Sequence, residues 1–109
     1  MKYNILTIPP FDKQLKHLAK KYISIKVDMQ RLAESLSENP TQGTLLTENC
    51  YKIRMTISSK GKGKSGGARV ITHFYIEGAT VYLLAIYDKS EQSTISDNEL
   101  RYLLRQINK

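Results

Sequence analysis

The sequence predicts a small α+β domain: a two-layer fold with an antiparallel four-stranded sheet, an N-terminal helical hairpin and a C-terminal helix, in the order β-α-α-β-β-β-α. Three observations predict it. Two helical stripes of apolar residues follow each other between residues 11 and 36, the hydrophobic period changes to two at Tyr51, and a capping box opens a last amphipathic segment at Ser96. With 109 residues, 40% of them hydrophobic, there is material for a single core, so residues 1–109 read as one domain.

Tyr3 to Ile8 is short, apolar and β-leaning, and Pro9 and Pro10 stop it and favour an edge position. Phe11, Leu15, Leu18 and Tyr22 then follow helical spacing, with Asp12 in the first turn and Lys20 and Lys21 near the end, as the helix dipole prefers. Ile25, Met29, Leu32, Ala33 and Leu36 form a second stripe, with Ser24 as N-cap and Asn39 and Pro40 as the stop. Its polar face, with Lys26, Asp28, Arg31, Glu34 and Ser35, reads as solvated or open to a partner chain.

Residues 39–48 read as a polar loop around Pro40 and Gly43. Tyr51, Ile53, Met55 and Ile57 alternate with Lys52, Arg54, Thr56 and Ser58, so one strand face is apolar and the other basic. Gly61, Gly63, Gly66 and Gly67 with three lysines make a flexible crossing, after which Arg69 to Ile76 is a strand with Arg69, Ile71, His73 and Tyr75 on one side. Glu77 and Gly78 turn the chain into Val81 to Tyr87, apolar on both sides as a central strand would be. The three strands read as an antiparallel meander whose open face carries Lys52, Arg54 and Arg69. In the last helix Ser96 and Glu99 form the capping box, Ile95 and Leu100 a hydrophobic staple, and Leu100, Leu103, Leu104 and Ile107 the buried stripe.

Charge is concentrated in the middle. Tyr51 to Arg69 holds Lys52, Arg54, Lys60, Lys62, Lys64 and Arg69, and no acidic residue lies between Glu48 and Glu77. That window accounts for six of the formal +7 charges, and a polyanion is the natural counterpart of such a patch. A lone Cys50 excludes an internal disulfide framework, and with only His17 and His73 besides, no metal or other cofactor site is expected. A reducing cytoplasm is the expected compartment, with no secretory core or membrane span in MKYNILTIPPF.

Two phosphate-binding patterns fail. Gly61, Gly63 and Gly66 match G-x-G-x-x-G, but a strand follows where a helix N-terminus is needed. Gly63, Lys64 and Ser65 resemble the end of a Walker A loop, yet Ser58 stands in place of its first glycine. There are no paired carboxylates and no Ser, His and Asp set of evident spacing. RNA cleavage needs none of these, because the ribose 2′-hydroxyl is an internal nucleophile. A protein has only to align it, accept its proton, stabilise the phosphorane and protonate the leaving oxygen. Arginine suits the phosphorane because its planar fork binds two oxygens and stays charged.

CYKIR at Cys50 to Arg54, the glycine-lysine crossing, GARVITHF at Gly67 to Phe74 and VYLLAIYDKSE at Val81 to Glu91 together resemble the RelE/ParE superfamily of bacterial toxins, and the crossing resembles its RelE and HigB-like ribosome-dependent mRNA interferases. The resemblance spans nearly the whole chain and is distinctive in the middle third. It implies a metal-independent endoribonuclease that enters the ribosomal A site, cuts mRNA by 2′-hydroxyl attack and is neutralised by a cognate antitoxin. By the same resemblance Lys52 and Arg54 fall on the family's basic pair before the crossing, Arg69 on its arginine at the start of the next strand, and Lys89 beside its basic position after the last strand. Ser90 stands where RelE has an arginine, and Ser96 near where it has a functional tyrosine, so Tyr87 or His73 is the expected substitute in acid-base work or base stacking. Lys60, Lys62 and Lys64 are expected as RNA phosphate contacts. Two other classes fit the same residues: a noncatalytic ParE-like inhibitor of DNA gyrase, and a plain RNA-binding module.

Overall fold

The alternating residues of the middle third build the centre of the sheet. The computed structural model describes residues 2–107 and runs β1 (Asn4–Thr7), α1 (Pro9–Lys21), α2 (Ile25–Glu38), β2 (Thr44–Thr47), β3 (Cys50–Met55), a 3₁₀ turn (Ser58–Lys60), β4 (Ala68–Tyr75), β5 (Thr80–Asp88) and α3 (Asp97–Arg105). Strands β3, β4 and β5 form the predicted antiparallel meander, and β1 lies at an edge as its flanking prolines suggested.

The sheet departs from the expectation in two ways. It has five strands in the order β1-β5-β4-β3-β2, and it is mixed, because β1 runs parallel to β5. The additional strand, β2, lies within the predicted loop and pairs antiparallel with the start of β3. All four of its residues are exposed, so no alternation of buried and polar positions marked it. Strand direction leaves no trace in β1's composition either.

Two local signals also resolve differently. Pro9 and Pro10 open α1 at its first two positions, where a missing N–H costs nothing, rather than merely ending β1. Ser24 stands at the N-cap position of α2 with helical dihedrals and does not cap it through its side chain; its hydroxyl donates to Asp28 instead (2.8 Å). Ser96 does cap α3, its hydroxyl accepting from the Glu99 N–H at 3.1 Å.

The core gathers Phe11 and Leu18 of α1, Ile25, Met29 and Leu36 of α2, Ile53 and Met55 of β3, Val70 of β4, most of β5, and Leu100 and Leu103 of α3. At about 25 cal/mol per Å², each such side chain contributes roughly 1.5–3 kcal/mol, which anchors the three central strands that carry the basic residues.

Candidate functional site

Cross-strand register brings the site together. Arg54 of β3 lies directly opposite Arg69 of β4, and Arg69 directly opposite Tyr87 of β5. Directly opposed residues share a sheet face, so two guanidinium groups and a phenol form one row across three adjacent strands. Lys52 joins the same face one step along β3.

Arg69 does not lie on an open face, as the sequence suggested. It is 3% exposed, and its Nη1 donates to the carbonyls of Lys64 (2.9 Å) and Ala68 (3.1 Å). Burial first, and then the neighbouring Arg54, pull its pKa below the usual guanidinium value, while Tyr87 acts the other way. An arginine remains charged through such a shift, so the row holds a desolvated cation without a carboxylate against it. Among the described residues the ion pairs join Lys21 to Glu91 and Lys60 to Asp88.

Tyr87 is 6% exposed, and its hydroxyl has no hydrogen-bond partner among the described residues. Burial raises its pKa above the ordinary phenol value, Arg69 counteracts part of this, and Glu99 at the start of α3 adds to the rise. At neutral pH it is therefore a protonated donor beside Arg69, with Arg54 on the far side of that arginine.

The glycine-lysine crossing is fastened at both ends. Gly67 packs so closely on β3 that a Cβ there would lie 2.2 Å from the Met55 carbonyl oxygen, and its own carbonyl accepts from the Lys89 N–H (3.0 Å). Lys62, Lys64 and Lys89 are exposed. Lys60 is turned inward: its side chain is 13% exposed, and Nζ donates to Asp88 (2.8 Å) and Ser90 (3.3 Å). Its charge serves the fold, leaving the RNA-contact expectation to Lys62, Lys64 and Lys89.

His73 shares the strand side of Arg69, but four residues at about 3.3 Å each set it roughly 13 Å away along β4. It is buried, with Nδ1 3.5 Å from the Cys50 sulfur, so it is not brought to the row. Sequence reasoning left out one residue near the row: Arg31 of α2, which with Lys52, Arg54 and Lys64 lines a groove of about 540 Å³ beside β3. Helical periodicity placed Arg31 on an outer face, but gave no sign of what lies across from it. Among the described residues no group of three or more His, Cys, Asp or Glu gathers as a metal site, and no helix is long and apolar enough to cross a membrane.

No family model matches the chain. Solved structures do. A doubly substituted Escherichia coli RelE toxin in the free state is similar with a TM-score of 0.64 and 16% identity over 99% of this chain and 100% of that one. The chain has the RelE toxin fold. The RelBE2 toxin-antitoxin complex of Mycobacterium tuberculosis (TM-score 0.58, 15% identity, 81% of this chain and 92% of that one) has the fold as well. So has the intact E. coli RelBE complex (TM-score 0.52, 17% identity, 79% and 95%). At these identities the RelE likeness carries the arrangement of strands and helices, and the chemistry must be argued from the row itself.

Proposed function

We propose that this chain is the toxin of a toxin-antitoxin pair and acts as a ribosome-dependent, HigB- or RelE-like endoribonuclease that cuts mRNA in the A site without a metal ion. The observation that carries this reading is the Arg54-Arg69-Tyr87 row: two cations and a protonated phenol on one face, with no carboxylate ion-paired to either arginine among the described residues. Directly opposed like charges destabilise a sheet, and a buried cation without a counterion costs more; a bound phosphate relieves both.

In the reaction, the 2′-oxygen attacks phosphorus and the bond from phosphorus to the 5′-oxygen breaks, leaving a 2′,3′-cyclic phosphate and a free 5′-hydroxyl. Arg69 and Arg54 neutralise the charge that builds on the non-bridging oxygens. Tyr87, kept neutral by its surroundings, donates its proton to the departing 5′-oxygen, and Lys52 and Arg54 orient the phosphate while a solvent water takes up the 2′-proton. Lys62, Lys64 and Lys89 hold flanking phosphates of messenger or ribosomal RNA. The antitoxin suited to such a surface is acidic, since an excess of carboxylates competes directly with RNA for the row. The RelBE complexes among the similar structures support the expectation of such a partner.

Primer extension on a reporter mRNA in cell-free translation, with and without ribosomes, tests the reading against Arg69→Ala. Cuts within translated codons that require ribosomes and vanish in the variant are expected. An intact message, with growth still arrested in cells making the protein, would refute cleavage and send the search to DNA gyrase.

A further inference from the structure

Beside the row lies a groove that shares Lys52, Arg54 and Lys64 with the proposed RNA site and adds Arg31, to which the cleavage chemistry gives no role. Strand β2 pairs with β3 only as far as Lys52, opposite Thr44, so among the described residues no strand lies beside the outer edge of β3 beyond that point. The gap is bounded by α2 on one side and the start of the glycine-lysine crossing on the other, and Gly43 closes one end. Gly43 has φ +98°, and a Cβ there would lie 2.5 Å from the Lys52 carbonyl oxygen, so only glycine lets the chain turn this close to β3.

The lining is one-sided in charge. Arg31, Lys52, Arg54 and Lys64 line the groove from three different elements, against one lining carboxylate, Asp28. Asp28 is committed: it accepts from the Ser58 N–H (2.9 Å), the Ser58 hydroxyl and the Ser24 hydroxyl (2.8 Å). Its carboxylate is thus held by the groove wall and feels Arg31 only through a longer-range attraction, and among the described residues the ion pairs involve none of the four cations. The groove is also continuous with the row, since Arg54 borders both and Lys64 gives its carbonyl to Arg69 while its side chain lines the groove.

We propose that this groove extends the site away from the row and holds the sugar-phosphate backbone of single-stranded RNA next to the scissile position, with Arg31 as its outer, noncatalytic anchor. The proposal rests on the cleavage reading above for the identity of the polyanion. A volume of about 540 Å³ has the size of one or two nucleotides. Arginine offers a planar, bidentate phosphate ligand from the helix side, whereas Lys64 offers a point charge from the crossing.

The test is fluorescence anisotropy of a single-stranded 2′-O-methyl RNA, which cannot be cut, titrated with the wild type, Arg31→Ala, Arg31→Lys and Lys26→Ala at several salt concentrations. Lys26 lies on the same helix, is exposed and does not line the groove. Losing one phosphate contact should weaken binding about 5- to 10-fold near 0.1 M salt and lower the slope of log K against log salt by about 0.7. Arg31→Lys should recover part of the loss, and Lys26→Ala should match the wild type. In ribosome-coupled cleavage, Arg31→Ala should raise the half-saturating toxin concentration by the same factor and leave the plateau rate within about twofold. Equal affinity and equal slope for Arg31→Ala and the wild type overturn the proposal, as does the absence of any wild-type binding at low salt. RNA binding unaffected by Arg31→Ala, with poly-glutamate binding weakened by it, overturns it in favour of an acidic protein segment. Because the binding arm needs no cleavage, a wild type that binds but never cuts would sink the enzymatic reading and leave the groove standing.

Discussion

Two charged clusters sit on opposite faces of the same three strands, and the protein treats them in opposite ways. On the face packed by the helical hairpin, Asp88 is 1% exposed and fully answered: Tyr22 and Ser90 donate hydroxyls to it, Ser90 its N–H and Lys60 its ammonium. One register step away, on the other face, Arg69 is nearly as buried, yet it faces Arg54 and a Tyr87 hydroxyl without a partner. The same fold that supplies Asp88 with a cation and three further donors gives Arg69 two backbone carbonyls and, among the described residues, no ion-paired carboxylate, and leaves the Tyr87 hydroxyl unanswered. A buried polar group left unanswered costs about 1–3 kcal/mol, so the difference marks where structure ends and ligand binding begins.

The sharpest way to break this comparison is to strip the satisfied side. Lys60→Met leaves Asp88 buried without its cation, and a loss of about 3 kcal/mol in urea unfolding is expected, because removing one member of a buried pair strands the other. Cleavage by the folded fraction should change little. A comparable loss of cleavage at unchanged stability would mean that Lys60 belongs to the RNA site after all.

On the unsatisfied side the signs should reverse. Tyr87→Phe removes a hydroxyl that has no partner, so stability should hold or rise by about 1 kcal/mol, while ribosome-dependent cleavage falls about 100-fold with the loss of the acid. Quantitative primer extension and a denaturation curve on one preparation read both effects.

Acid separates the clusters next. Burial alone would raise the Asp88 pKa, but the hydrogen bonds from Lys60, Tyr22 and Ser90 outweigh it and hold the carboxyl well below the usual carboxylate range. Asp28 is lowered as well: burial opposes the shift, and hydrogen bonds from Ser58 and Ser24 prevail. A depressed folded-state pKa stabilises above the unfolded value of about 3.9 and is lost as pH falls through the folded value. Unfolding free energy should therefore decline below about pH 4 in the wild type, and Asp88→Asn should flatten that decline. Equal slopes in the two proteins would remove Asp88 from the account.

The smallest effect is a control. Thr72 is fully buried on the hairpin side of β4, and its hydroxyl also lacks a partner. Thr72→Val should stabilise by about 1 kcal/mol at most and leave cleavage unchanged, which separates an unsatisfied hydroxyl as such from one beside Arg69.

Much of this arrangement was legible in the sequence. Alternation from Tyr51 onward put Lys52 and Arg54 on one strand face, and the same rule gave Arg69 its place on β4. Parity names a face but not a position along it, which is why His73 read as a neighbour of Arg69 and lies with Cys50 instead. Strand β2 escaped because an exposed edge strand has no buried side to betray it. The burial of Arg69, the partners of Lys60 and the approach of Arg31 to β3 all depend on which segments meet in space. Composition could show that six cations crowd one window, but not that one of them is spent on an aspartate 28 residues away.

The most direct test of the central claim is to measure unfolding and ribosome-dependent cleavage side by side in Arg69→Met, which keeps the packing volume and removes the charge. Unfolding free energy equal to or above the wild type, with cleavage down about 1,000-fold, is the predicted result. A fold weakened by about 3 kcal/mol, whose folded fraction still cuts mRNA at the wild-type rate, would show that Arg69 is a structural cation and that the row is not the site.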